Sequence, residues 1–147
     1  MRTWKTAAIV MSIAVGIVAP VMVGCNLLTY QICVNNQSSY DLIEVNVVAL
    51  GAGSWGSNDL TGIVGPGQTQ DIKGFSAGDY MVRGVFDVAD SQVCEPVIND
   101  EYIVTNTNID ITTTNVCIDY NEQYVVQNGV KAPGDCVEIY GAVRFEI

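Results

Sequence analysis

Turn-forming residues divide this chain into short segments, and that division most limits what the chain can fold into. Clusters of Gly, Pro, Asn, Asp and Ser recur at eight places. No segment keeps the apolar period of 3.6 residues that a helix packed on a sheet needs. The spacing therefore predicts roughly seven to nine short strands. The clusters are 35–39, 51–54, 65–67, 77–79, 89–91, 99–100, 128–129 and 133–135.

The segments between the turns alternate between apolar and polar residues, as half-buried strands do. In 43–47 three aliphatic side chains alternate with Glu44 and Asn46, and 80–88 alternates in a similar way. From residue 25 onward the chain has 17 Val and 11 Ile but only 5 Leu and 6 Ala, which favours strands over helices. We therefore expect an all-β fold, an antiparallel β-sandwich, with a small β-barrel as the alternative.

The amino terminus has the form of a helical secretory signal peptide. Arg2 and Lys5 precede an uncharged apolar stretch that ends in Met22-Val23-Gly24-Cys25. This string resembles the lipobox of bacterial lipoproteins, although Met22 stands where Leu is usual. The resemblance implies that Cys25 receives diacylglycerol and further acyl chains such as palmitate. An uncleaved membrane anchor over 7–23 is the alternative.

The lipobox also sets the expected domain boundaries and location. The signal peptide would be 1–24, the lipidated end and tether 25–31, and a single β-sandwich domain 32–147. We expect the chain to lie in the cell envelope, held to a membrane through Cys25, and at the outer membrane if the host has two membranes. Loss of 1–24 leaves four basic residues against sixteen acidic ones, so nucleic acid is an unfavourable partner.

Four cysteines follow Cys25, and an even number in an exported chain predicts two disulfides. They are Cys33, Cys94, Cys117 and Cys136. Sequence alone leaves three pairings open, with a slight preference from short-loop closure for Cys117 with Cys136 and Cys33 with Cys94. A zinc site is disfavoured because the chain has no His and no Cys-x-x-Cys pair. We expect no metal and no cofactor.

Five short elements within 34–88 occur in a characteristic order. They are Val34-Asn35-Asn36, Ile43-x-Val45-x-Val47, Trp55-Gly56-Ser57-Asn58-Asp59-Leu60, Gly65-Pro66-Gly67 and Gly78-Asp79-Tyr80. This order resembles a group of small secreted bacterial β-domains, which share a strand ending in Asn-x-Ser, a W-G-x-N-x-L loop, a P-G turn and a G-x-Y strand start. The resemblance implies a β-domain and brings no activity with it.

Aromatic residues are the candidate ligand contacts. Trp55 is the only tryptophan after the leader and lies in a loop of Gly, Ser and Asn. It either packs at the edge of the core, which we favour, or stacks on a ligand such as a sugar. Tyr102, Tyr120, Tyr124 and Tyr140 gather in the acidic second half, where half-buried strand tyrosines and a contact surface are both expected.

A catalytic function is disfavoured. The chain lacks His, the commonest general base, and has no Gly-x-Ser-x-Gly or phosphate-binding loop. Paired carboxylates could serve a small hydrolase or hold calcium, but any acidic chain offers such pairs. The acids considered for a hydrolase are Asp87, Asp90, Asp100, Glu101, Asp110 and Asp119. The residues considered for calcium are Asp87, Asp90 and Ser91, or Asn99, Asp100 and Glu101.

These patterns together favour a non-catalytic envelope protein over an enzyme. We expect it to contact another protein through its loops or through an open sheet edge, because an edge can accept a partner strand. Carbohydrate binding by Trp55 and the tyrosines is the alternative, and a small hydrolase is a weaker one.

Overall fold

A computed structural model describes residues 29–125 and 136–146, and these form seven strands. The predicted signal peptide 1–24 and the predicted lipidation site Cys25 lie outside the described residues. The first strand begins at Tyr30, so it includes the last two residues of the predicted tether 25–31. The strands are β1 (Tyr30–Asn36), β2 (Asp41–Ala49), β3 (Thr69–Phe75), β4 (Gly78–Asp87), β5 (Glu101–Ile111), β6 (Val116–Val125) and β7 (Cys136–Phe145).

The strands make two sheets that pack face to face. One sheet has the order β3-β1-β6-β7 and the other β2-β4-β5. A short 3-10 turn at Asp90–Gln92 follows β4. The predicted β-sandwich is therefore confirmed, because the described strands stay in two separate sheets and do not close on themselves. Over the described residues there is no helix with the length and apolar character needed to cross a membrane.

One strand pair departs from the antiparallel pattern. β1 and β6 are parallel, with Ile32 opposite Val116 and Val34 opposite Ile118, whereas the other strand pairs are antiparallel. Parallel neighbours need a long crossover, which is usually a helix. Here the crossover is the β2-β4-β5 sheet together with β3, so no helical segment is required. The absence of a helical period therefore did not exclude a parallel pair.

The core between the sheets is aliphatic, with two aromatic side chains at its centre. Phe86 of β4 and Tyr120 of β6 are both fully buried, and their rings meet edge to face at 5.1 Å. Ile32, Val34 and Ile118 lie around them, also fully buried. Phe86 belongs with Val82 and Val88 to the alternating segment 80–88, and the face that the alternation predicted to be buried there is buried.

A buried amide joins the loops at one end of the sandwich. Asn36 is fully buried at the end of β1. Its Nδ2 donates to the carbonyl oxygens of Tyr40, at 2.7 Å, and Val64, at 2.8 Å. Its Oδ1 accepts from the backbone N–H and the hydroxyl of Ser38. All the hydrogen-bonding capacity of the amide is thus used to hold three segments together, which explains the Asn-x-Ser element structurally.

The loop that contains Trp55 covers the outer edge of β2. Asn58 Oδ1 accepts from Val45 N–H at 3.0 Å, and Asp59 Oδ2 accepts from Val47 N–H at 2.7 Å. Asp59 N–H donates in turn to Val45 O at 2.7 Å. The side chains of this loop therefore bond the backbone N–H groups at the edge of β2, which would otherwise be open to pairing with another chain.

Candidate functional site

A hairpin that pairs at only one position forms a groove beside β5. Asn99 and Asp100 have φ values of 57° and 58°, both positive as the central residues of a type I′ turn require. The turn brings Glu101 N–H to within 3.1 Å of the Ile98 carbonyl oxygen. Pro96 has no N–H with which to continue the ladder, so the arm leading to Ile98 separates from β5.

The separated arm and the start of β5 enclose about 410 Å³. We refer to this space as the β5 groove. Glu95, Pro96, Val97 and Ile98 line it on the arm, and Glu101, Tyr102 and Ile103 line it on β5.

The arm is held in place by bonds within the chain, and these fix one wall of the β5 groove. Asp90 Oδ1 accepts from Val97 N–H at 2.8 Å, and Asp100 Oδ1 accepts from Asp90 N–H at 3.3 Å. Cys94 is joined by a disulfide to Cys136 at the start of β7. Preformed walls lower the entropic cost of binding, which is why rigid grooves make good recognition sites.

The β5 groove exposes large aliphatic side chains. Ile98 is 80% exposed and Ile103 is 53% exposed. Ile103 lies opposite Val85 on the outer face of the β2-β4-β5 sheet, and Val85 is itself buried. Exposed apolar residues that line one groove are typical of interaction sites, whereas single exposed apolar residues are not.

Acidic groups surround the apolar floor. Glu95 and Glu101 are exposed, and among the described residues neither forms an ion pair. Burial raises the pKa of the Tyr102 hydroxyl, and the nearby Glu95 and Glu138 carboxylates raise it further. The same hydroxyl lies 3.4 Å from Ile139 N–H, which donates to it. The potential around the β5 groove is therefore negative.

Trp55 lies over a second polar cluster, on the outer face of the same sheet. The Arg83 guanidinium carbon is 5.3 Å from the centre of the Trp55 ring. Arg83 also donates to Asn46 Oδ1 and pairs with Glu44 at 3.4 Å. Asn46 is fully buried, and its Nδ2 donates to Glu44 and to the Ser57 carbonyl oxygen.

Trp55 does not pack at the edge of the core, which was the favoured expectation. The indole packs over Arg83 outside the sandwich and is not among the aromatic side chains that pack against the core. One face of the ring is occupied by a cation of the same chain. The bonds of Asn46 are used within the cluster, so it joins the Trp55 loop to the sheet.

The four tyrosines of the second half do not form one surface. Tyr120 is fully buried in the core, and Tyr102 is half-buried beside the β5 groove. Tyr124 and Tyr140 are 45% and 44% exposed. The two exposed residues lie on opposite faces of the β3-β1-β6-β7 sheet, because Tyr124 pairs with Val137 and Tyr140 with Asn121.

The two disulfides join Cys33 with Cys117 and Cys94 with Cys136, with Cα–Cα distances of 4.4 and 4.8 Å. The pairing preferred from loop length is therefore wrong. Cys33 and Cys117 are direct partners in the parallel β1–β6 register, so strand pairing outweighs the small entropic preference for a short loop.

Three of the acidic residues considered for a hydrolase or a calcium site, Asp90, Asp100 and Asp119, have other contacts. Asp90 and Asp100 accept backbone N–H groups, and Asp119 accepts from Arg144, which holds its pKa below the ordinary value. Within the described parts of the chain, Cys33, Cys117 and Glu146 form the one group of three potential metal ligands. Its two cysteines are in a disulfide, so they offer no thiolate to a metal.

Sequence reasoning identified Trp55 and the cysteines but missed the β5 groove. The signal was present: the Asn-Asp turn at 99–100 is flanked by Ile98 and Glu101, with Pro96 close before it. A hairpin turn preceded by an arm that Pro96 prevents from pairing predicts an open cleft. Comparison of the chain with protein-family models, with curated proteins and with solved structures gives no match.

Proposed function

We propose that the chain is a non-catalytic lipoprotein of the bacterial cell envelope, whose β-sandwich binds another protein at the β5 groove. The observation that carries the binding function is the exposure of Ile98 and Ile103 on a groove with fixed walls. The string that ends in Cys25 supports the anchor and the location. The absence of His from the chain supports a role other than acid-base catalysis.

The other sheet edges are less suited to a partner. The Trp55 loop covers β2 through Asn58 and Asp59. The outer edge of β7 is bridged by Val93 near Cys136, through the pair Val93 and Val137. β3 carries the exposed charges of Asp71 and Lys73, which discourage edge-to-edge pairing. β5 thus has the edge with exposed aliphatic side chains beside it.

Site-specific photo-crosslinking in a bacterial envelope tests the binding function. The full chain, with its leader, would carry a photoreactive amino acid at position 98 or, as a control, at position 63. Ile63 is 63% exposed and lies in the loop before β3, away from the β5 groove. We expect a crosslinked protein from position 98 that Ile103→Ser removes and that position 63 does not capture. Equal capture from both positions would contradict a binding site at the groove.

Intact mass of the protein purified from membranes tests the anchor separately. A chain that begins at Cys25 with added acyl mass supports the lipoprotein. An unmodified full-length chain contradicts it and supports the uncleaved anchor over 7–23.

Glycan binding at Trp55 is the second candidate. The partly buried indole beside Arg83 and Glu44 combines a ring with charged hydrogen-bonding groups, as sugar sites do. A glycan array with the wild type and Trp55→Ala tests it. Binding lost in Trp55→Ala with unchanged thermal stability supports a sugar site, and no bound glycan contradicts it.

A further inference from the structure

We propose that the β5 groove takes an extended segment of a basic partner protein, which adds a short strand to the free edge of β5 and places a Lys or Arg side chain between Glu95 and Glu101. The inference rests on the proposed function, because it names the kind of segment that the groove binds.

The backbone of β5 is suited to strand addition at the groove. Glu101 N–H points towards Ile98, to which it donates. Backbone groups of a strand alternate between its two edges, so the N–H and C=O of Ile103 face the same side as those of Glu101. Within the described residues, the bridge between Ile98 and Glu101 is the one pairing on this side of β5. An extended segment would complete the ladder that Pro96 interrupts.

The side chains determine which segments fit. Ile98 and Ile103 flank the space, and burial of both would remove exposed aliphatic surface from water. A strand presents alternate side chains to one face. The favoured segment therefore alternates aliphatic residues, which face the two isoleucines, with polar or basic ones.

Charge selects a basic partner over a second copy of this chain. Glu95 and Glu101 are without a cationic partner among the described residues, where Arg83 pairs with Glu44 and Arg144 with Asp119. The whole chain carries a net charge of −10, so two copies would repel each other. A basic segment supplies the missing counter-charge and gains association rate as well as specificity.

Synthetic peptides of defined sequence test the proposal. The probe is a nine-residue peptide of alternating Val and Thr with two of the Thr replaced by Lys, blocked at both ends. Matched peptides carry Gln or Glu in place of Lys. Binding to the disulfide-bonded domain is followed by amide NMR shifts, which also locate the site. We expect the Lys peptide to bind with shifts at residues 98 and 101–103, the Gln peptide to bind less tightly, and the Glu peptide not to bind.

Two double variants separate the role of the groove carboxylates from net charge. Glu95→Gln with Glu101→Gln should weaken binding of the Lys peptide by about threefold to tenfold, the range for two partly exposed ion pairs. Asp71→Asn with Asp79→Asn makes the same change in net charge elsewhere and should leave binding unchanged. Equal weakening by both variants, or equal binding of all three peptides, would overturn the charge assignment. Shifts outside the groove would overturn the site.

The outcomes also separate this inference from the proposed function. If crosslinking from position 98 succeeds but the captured protein is retained by the Glu95→Gln, Glu101→Gln variant, the groove binds a partner that is not selected by charge. If sedimentation shows a dimer that Ile103→Ser dissociates, the occupant is a second copy and the inference is wrong. If crosslinking finds no partner at all, the proposed function fails as well.

Discussion

Gly84 of β4 lies directly against the hydroxyl of Tyr120 on the facing sheet. A Cβ placed on Gly84 would lie 2.7 Å from that oxygen, closer than carbon and oxygen approach in proteins. The hydroxyl is fully enclosed and has no hydrogen-bond partner among the described residues. The strand thus needs a glycine at 84 to admit the tyrosine, and the tyrosine brings an unsatisfied polar group into the core.

Replacing Tyr120 with Phe should therefore stabilise the protein at neutral pH. Removal of a buried hydroxyl without a partner relieves about 1–2 kcal/mol of desolvation and leaves the contact with Phe86 in place. Urea unfolding at pH 7 measures the change. Tyr140→Phe removes an exposed hydroxyl and serves as the control, for which we expect no gain. A loss of stability in Tyr120→Phe would mean that the hydroxyl has a bonding partner.

The same substitution should change the response to alkaline pH. Burial raises the pKa of Tyr120 far above its ordinary value of 10.0. Above pH 10 the unfolded chain loses this proton while the folded chain keeps it, so the free energy of unfolding falls as pH rises. In Tyr120→Phe this part of the fall should be absent. Unfolding midpoints at pH 8, 10 and 11 measure it, and parallel curves for wild type and variant would contradict the assignment.

Loss of the Asn36 side chain should be strongly destabilising. Asn36→Ala removes one of the two donors from the carbonyl oxygens of Tyr40 and Val64 and leaves the buried Ser38 N–H without its acceptor, at a cost of about 3 kcal/mol. Asn35→Ala is the matched control, because Asn35 bonds Asp119 and Thr69 on the sheet surface where water can replace it. We expect a loss below about 1 kcal/mol there. Similar losses of stability in both variants would contradict the role of the buried Asn36 amide in joining the loops at this end of the sandwich.

The two disulfides should differ in reactivity and in contribution to stability. Cys33 and Cys117 are 5% and 1% exposed, whereas Cys94 and Cys136 are partly exposed, so a dithiol should open the second bond first. Alkylation followed by peptide mass analysis identifies the first bond reduced.

In the unfolded chain, the Cys33–Cys117 bond closes the longer loop, with a separation of 84 residues against 42. Its replacement by two serines should cost about 0.6 kcal/mol more in chain entropy. A smaller loss for this pair than for Cys94 and Cys136 would mean that strain or residual structure outweighs loop length.

The backbone amides at the edge of β2 should exchange faster and become free to pair with another chain when the side chains that cover them are removed. Asn58→Ala with Asp59→Ala frees the N–H groups of Val45 and Val47, which we expect to exchange hydrogen at least tenfold faster. Ser54→Ala, in the same loop, is the control. The double variant should also self-associate at high concentration, which sedimentation detects. Unchanged exchange at both amides would contradict the covering role.

The sequence alone was sufficient to predict the elements whose structure depends on residues nearby in the chain. The alternation of 80–88 predicted β4, and the turn at 65–67 predicted the reversal before β3. It was insufficient where distant segments meet. The residues around Cys33 do not indicate that residue 117 lies opposite it in the sheet. The order of strands in a sheet depends on how distant segments pack to form the core, and local sequence does not show this. Trp55 was misplaced for a similar reason, since Arg83, which attracts it to the outer face, lies on another strand.

The central position of β1 between β3 and β6 has a consequence for the timing of folding. The first strand to be synthesised finds one neighbour at residues 69–75 but must wait for 116–120 to find the other. Until residues 116–120 have been synthesised, β1 lacks one of its two neighbours and the β3-β1-β6-β7 sheet stays incomplete. Contacts this far apart in sequence make closure slow, so we expect the sandwich to be completed only once nearly the whole chain has been synthesised.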